Sequence, residues 1–108
     1  MINEILASSK RIDNGRTVKD VHMSVVEEVG ELATEVRVKY GTSYKNADVD
    51  GILGESVDGI LCLIDLIYVD NPNITEAEIM NVVRNKLAKW ERKENEHKAK
   101  TEKNGENK

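Results

Sequence analysis

Apolar residues recur every three or four positions through four stretches of this chain, and that period predicts four helices. The first covers residues 2 to about 12, with Ile2, Ile5, Leu6 and Ile12 inward. Asp13–Asn14–Gly15 then reads as a turn. Thr17 and Asp20 resemble a capping box, with Asp in place of the usual Glu or Gln, and open a long second helix. Its apolar stripe is Val18, Val21, Val25, Val29, Leu32 and Val36, and it ends near Tyr40, with Gly41 as its stop. Residues 42–49 form a polar connection. The third helix runs from about Asp50 to Tyr68 or Val69 and carries Leu53, Val57, Ile60, Leu61, Ile64 and Ile67, with Leu63 and Leu66 on other faces. It is apolar nearly all round, so it calls for burial on several sides.

Asp70–Asn71–Pro72–Asn73 breaks the chain, and Thr75 with Glu78 opens a fourth helix bearing Ile79, Val82, Val83, Leu87 and Trp90, with Trp90 read as a core residue. After Glu94 the sequence is polar apart from Ala99 and Gly105, which predicts a disordered tail over 95–108. The expectation is an all-α bundle of about four helices over residues 1–94. A chain of 108 residues is short of material to surround the third helix, so that helix is expected to pack against a second copy in a homodimer or homotetramer.

Composition narrows the function. The chain has no Phe, one Trp and three Tyr, so its core is aliphatic. A formal net charge of −4 argues against nucleic-acid binding. Between Asp20 and Asp70 there are eleven acidic and three basic residues. A neutralising cation is therefore expected in the middle of the chain. Cys62 is the only cysteine, which excludes an internal disulfide and a cysteine-based zinc site. No signal-peptide run is seen, and Ile60–Val69, interrupted by Asp65, is too short to span a bilayer. A cytoplasmic protein without a membrane partner is the expectation.

Candidate chemistry lies in two acidic pairs, Glu28 with Glu31 and Glu55 with Asp58, each spaced i, i+3 on a core-forming helix. The spacing sets each pair on one face, about 60° apart around the axis, bordering the apolar stripe. Carboxylates so placed are costly unless they are paired or hold a cation. Oxygen ligands of this kind suit Mg²⁺, with Mn²⁺ as a possible substitute. Asp65, in the most apolar part of the chain, is open to either of two roles: a place at or near the metal, or a structural hydrogen bond or an ion pair across an interface.

Glu-Glu-Val-Gly-Glu-Leu at 27–32, followed by Glu-Ser-Val-Asp at 55–58 in an apolar helix, resembles the MazG-like all-α nucleotide pyrophosphohydrolases. The resemblance covers about residues 17 to 92. It implies hydrolysis of a nucleoside triphosphate to the monophosphate and pyrophosphate by a dimer or tetramer whose core is completed across subunits. It also implies that Glu28, Glu31, Glu55 and Asp58 hold Mg²⁺. Many relatives carry a second acid just before the second pair, where this chain has Gly54. The number of bound metals is therefore left open.

Glu31 is the candidate general base, with Glu28 close behind. The resemblance implies a basic cluster on the following helix against the phosphates, and the matching segment Arg84–Arg92 makes Lys86, Lys89 and Arg92 the candidate phosphate-binding residues; a solvated basic face explains the three equally well. The resemblance points to the first helix and the following turn for the nucleotide, where Ser9, Lys10, Asp13 and Asn14 are candidates, with Asn85 from the fourth helix. Asp13 and Asn14 read equally well as turn formers. Phosphoribosyl-ATP pyrophosphohydrolase is the nearest alternative activity. A di-iron carboxylate bundle would need Glu-x-x-His pairs on core helices, and none occurs there. A non-catalytic helical interaction module is the alternative of another class.

Overall fold

The computed structural model describes residues 1–41 and 51–106. Among them are four helices and no strand: α1 Ile2–Arg11, α2 Val18–Lys39, α3 Gly51–Asp70 and α4 Glu76–Glu106. The polar connection at 42–49, the helix start at Asp50 and the last two residues of the expected tail lie outside the described residues. The chain divides into two compact units, Met1–Ile74 and Thr75–Lys108.

Local chemistry sets the helix ends. The Thr17 side chain accepts the Asp20 backbone N–H at 3.2 Å, and an Asp20 carboxylate oxygen accepts the Thr17 backbone N–H at 2.8 Å. Both halves of the capping box are thus present with Asp at the third position. Thr17→Ala is expected to destabilise the fold by about 1 kcal/mol, read as a lower urea midpoint at unchanged slope. At the other end Gly41 takes φ +77°, a left-handed conformation in which any Cβ is strained. Gly15, at φ +72°, closes the turn after α1 in the same way. Asn14 Oδ1 accepts the Arg16 backbone N–H at 3.2 Å, the side-chain turn expected of an Asn there.

In the first unit α2 and α1 both pack on α3. The buried line of α2 differs from the expected stripe. It consists of Val21, Val25, Glu28, Leu32 and Glu35, all buried or half-buried, in steps of four and three. Val29 is 60% exposed, and Val18 and Val36 are also exposed. The helix is turned so that Glu28 and Glu35 lie on the inward line and not beside it, while Glu27 and Glu31 stay exposed. On α3 the matching line is Glu55, Gly59, Cys62, Leu66 and Val69. The opposite face of α3 carries Leu53, Val57 and Ile60, all exposed, with Leu53 at 76%. In α1, Ile2 is buried, Ile5 and Leu6 are half-buried, and Ile12, expected inward, is exposed.

In the second unit, Ile79 is buried and Val83 half-buried, while Val82, Leu87 and Trp90 are exposed. Trp90 is therefore not the core residue its type suggested. α4 continues to Glu106 through the segment whose polarity predicted disorder, with side chains exposed from Arg84 to Gly105. The segment is rich in Glu and Lys, which favour helix without any buried face. Arg92 and Glu96, one turn apart, stand 3.9 Å from each other on that open surface.

Candidate metal centre

The packing of α2 on α3 brings Glu28, Glu31 and Glu55 together: one oxygen from each lies within 4.8 Å of the other two. Glu55 is 8% exposed and Glu28 half-buried, while Glu31 stands at the solvent edge. One carboxylate oxygen of Glu28 and one of Glu55 are fully buried and have no hydrogen-bond partner. A buried acceptor without a donor costs free energy, and a carboxylate costs more than a neutral group. Burial, then Glu31, then Glu28 push the Glu55 carboxyl up to about 7. Burial and the Glu31 charge also raise Glu28. Acids that resist ionisation and, when protonated, share hydrogen bonds with one another form a donor set that could hold a hard divalent cation.

Asp58, expected as the fourth ligand, is exposed and outside this set, although its charge is still felt at Glu28. Its short side chain projects about 60° around α3 from Glu55. Glu35, two turns beyond Glu28, is buried and also lies outside the set. Cys62 sits two turns beyond Glu55 on the same line, and burial followed by the Glu28 charge pushes its thiol up.

The Glu55 shift has a definite sign for stability. Its folded pKa lies above the unfolded value of 4.5, so between about pH 4.5 and 7 the folded protein binds more protons than the unfolded chain. Stability therefore falls as pH rises through that window and stays low above it. Asp20 and Asp65 are shifted the other way, and their contributions are lost only at more acidic pH. Metal-free protein is expected to melt higher at pH 5.5 than at pH 8. Millimolar Mg²⁺ should close that gap by replacing the proton, and calorimetry at the two pH values checks both parts. A midpoint that rises with pH in metal-free buffer would contradict the burial assigned to Glu55.

Lys10, Asp13 and Asn14, three of the candidate nucleotide-binding residues, line one open cavity of about 460 Å³ with Arg16, Tyr68 and Pro72. Ser9 is buried and lines a second cavity of about 390 Å³ between α1 and α3, whose walls include Ile5, Ile12, Leu61, Cys62 and Asp65. Asn85, Lys86, Lys89 and Arg92 are exposed on α4. By helical geometry they span roughly a third of its circumference.

Arg16 gives no signal in the apolar pattern, yet its guanidinium donates five hydrogen bonds. Its Nε donates to Asp65 Oδ2 at 2.8 Å and its Nη2 to Asp65 Oδ1 at 2.6 Å. Nη2 also donates to the Ser9 carbonyl, and Nη1 donates to the Ile12 carbonyl and to Asn14 Oδ1. The guanidinium pulls the Asp65 carboxyl below its usual range, helped by the Ser9 hydroxyl. Of the two roles open to Asp65, the structure thus shows an ion pair, made within the chain.

No helix among the described residues is long and apolar enough to cross a membrane. Comparison with known protein families, with curated proteins and with solved structures returns no match for this chain.

Proposed function

We propose that the protein is a Mg²⁺-dependent nucleoside triphosphate pyrophosphohydrolase, releasing pyrophosphate and a nucleoside monophosphate. The observation that carries this reading is the convergence of Glu28, Glu31 and Glu55, with two buried carboxylate oxygens left without donors. Phosphoanhydride hydrolysis asks for charge neutralisation at the phosphates and a positioned water. A divalent cation, when bound, supplies the neutralisation. Glu28 and Glu55 would hold it, Asp58 standing by at the rim. Glu31 is the most exposed of the three and so the one able to accept a proton from water. A Glu31 carboxylate turned toward the substrate would take that proton as water attacks the α-phosphorus. Lys86, Lys89 and Arg92 are proposed to neutralise the outer phosphates. The resemblance of the 27–32 and 55–58 segments to MazG-like enzymes points the same way.

The working form is proposed to be a homodimer or homotetramer. α2 leaves Val26, Val29, Ala33, Val36 and Tyr40 exposed in steps of three and four, and α3 leaves Leu53, Val57 and Ile60. Such spacing is that of a helix–helix seam, and a second copy offers the same apolar rows.

The test is pyrophosphate release from a panel of NTPs, dNTPs and phosphoribosyl-ATP, with Mg²⁺ and with EDTA. The expected outcome is release that depends on Mg²⁺ and favours a free nucleoside triphosphate. Preference for phosphoribosyl-ATP would reassign the substrate. Folded protein releasing nothing from any of them would remove the enzymatic reading.

A further inference from the structure

Asp65 sits in an apolar helix, and Arg16 in a turn 49 positions earlier answers it with a two-pronged ion pair. All five N–H bonds of the Arg16 guanidinium are used. Two go to Asp65, two to the carbonyls of Ser9 and Ile12 at the C-terminal end of α1, and one to Asn14. One planar group therefore closes the end of α1, braces the turn and fastens both to α3. Only the fork of an arginine can do all three. α1 is ten residues long, too short to hold its shape by itself in water. The pair is partly buried, with side chains 15% and 21% exposed, which shields it from salt.

The fastening has a place in the molecule. Asp65, Ser9 and Ile12 line the 390 Å³ cavity between α1 and α3, and that cavity is of a size that takes a small ligand. Its α3 wall includes Cys62, whose thiol feels the charges of Glu28, Asp58 and Glu31 as well as that of Asp65. The cavity is thus lined by Asp65 of the ion pair and by Cys62, which lies two turns beyond Glu55 along α3. Its other wall is α1, through Ile5, Ser8, Ser9 and Ile12.

We propose that Arg16 and Asp65 are positioning residues. By pinning α1 to α3 they set the width of this cavity, which holds the part of the substrate remote from the cleaved bond. The proposal rests on the nucleotide reading for the identity of the ligand, and on the geometry alone for the fastening of α1.

Asp65→Asn and Arg16→Lys test it, with Arg16→Met as the more severe variant. Three quantities are measured on the full chain: amide hydrogen exchange of α1, steady-state kinetics on the preferred nucleotide, and the rise in melting temperature with millimolar Mg²⁺. In Asp65→Asn the α1 amides should exchange at least tenfold faster and KM should rise about tenfold. The kcat should stay within about twofold and the Mg²⁺ shift should persist. Arg16→Lys should fall between wild type and Arg16→Met, since lysine keeps the charge and loses the fork.

Loss of the Mg²⁺ shift in Asp65→Asn, or a fall in kcat at unchanged KM, would overturn the proposal and make Asp65 part of the metal centre. Unchanged α1 exchange and unchanged KM would overturn it too. If wild type neither binds nor hydrolyses a nucleotide, the functional reading and the cavity's role fall together. The exchange arm then decides separately whether the fastening exists.

Discussion

Glu55→Gln is expected to lower Mg²⁺-dependent kcat/KM by on the order of 10³-fold, the rate equivalent of about 4 kcal/mol of lost charge stabilisation. Folding should not suffer with it. In metal-free buffer at pH 8 the variant should melt no lower than wild type, and it should gain little from Mg²⁺. The two halves follow from one arrangement. Glu55 is buried, carries an oxygen without a donor, and faces Glu28 and Glu31. A neutral amide of the same shape escapes that repulsion and is cheaper to bury, so an activity loss without a stability loss marks a group kept for its charge. Glu55→Ala should lose the activity as well, with a cavity added. A Glu55→Gln protein that retained the wild-type Mg²⁺ shift would take Glu55 out of the centre.

In the proposed homodimer or homotetramer, Ile60→Glu should shift the protein toward single chains at micromolar concentration. Ile60 lies about 140° around α3 from Glu55, on the exposed apolar row with Leu53 and Val57. Covering an aliphatic side chain of this size is worth about 1.5–3 kcal/mol. A two-fold seam contains the position twice. Ile60 is 41% exposed, so about two-fifths of that side chain remains to be covered in each copy; the change therefore removes roughly 1–2.5 kcal/mol of association free energy before the cost of burying a carboxylate is added, which weakens association by about 10–10²-fold from this loss alone. Analytical ultracentrifugation of wild type and variant over a range of concentrations measures this directly, and the wild-type melting temperature should rise with concentration. Wild type sedimenting as a single chain at 100-fold the assay concentration would dismiss the seam. If Ile60→Glu is a monomer with full activity, assembly is not needed for the chemistry.

Helix existence was legible because each helix carries a long three-to-four repeat bounded by recognisable punctuation. Thr17, Thr75, Gly41 and the Asp70–Asn73 break stand where the helices start or stop. Rotation about the helix axis was less legible. Val25 and Leu32 belong to two rows at once, one continuing through Glu28 and Glu35, the other through Val29 and Val36. Hydropathy prefers the valines; the structure buries the glutamates. A sequence alone cannot weigh that choice, because the burial of an acid depends on what the opposite helix brings to it. The acidic pairs identified three residues that converge, and spacing could not reveal that Asp58 stays at the rim. Arg16 left no trace in the periodicity. A signal existed in Asp65, an acid in the most apolar helix, which demands a cation, but nothing in the spacing told which cation would answer. The helical course of residues 95–106 was hidden because the same Glu- and Lys-rich composition reads as disorder by hydropathy and as helix by intrinsic preference.

The fastening of α1 to α3 also dictates an order of events at the ribosome. α1 is made before α3, and the acid that secures it is encoded 49 positions after Arg16. At translation rates of about 5–20 residues per second, the N-terminal segment waits roughly 2–10 s for its partner. Over that interval Ile2, Ile5 and Leu6 have no surface of their own chain to rest on. α1 is thus made before the helix that secures it.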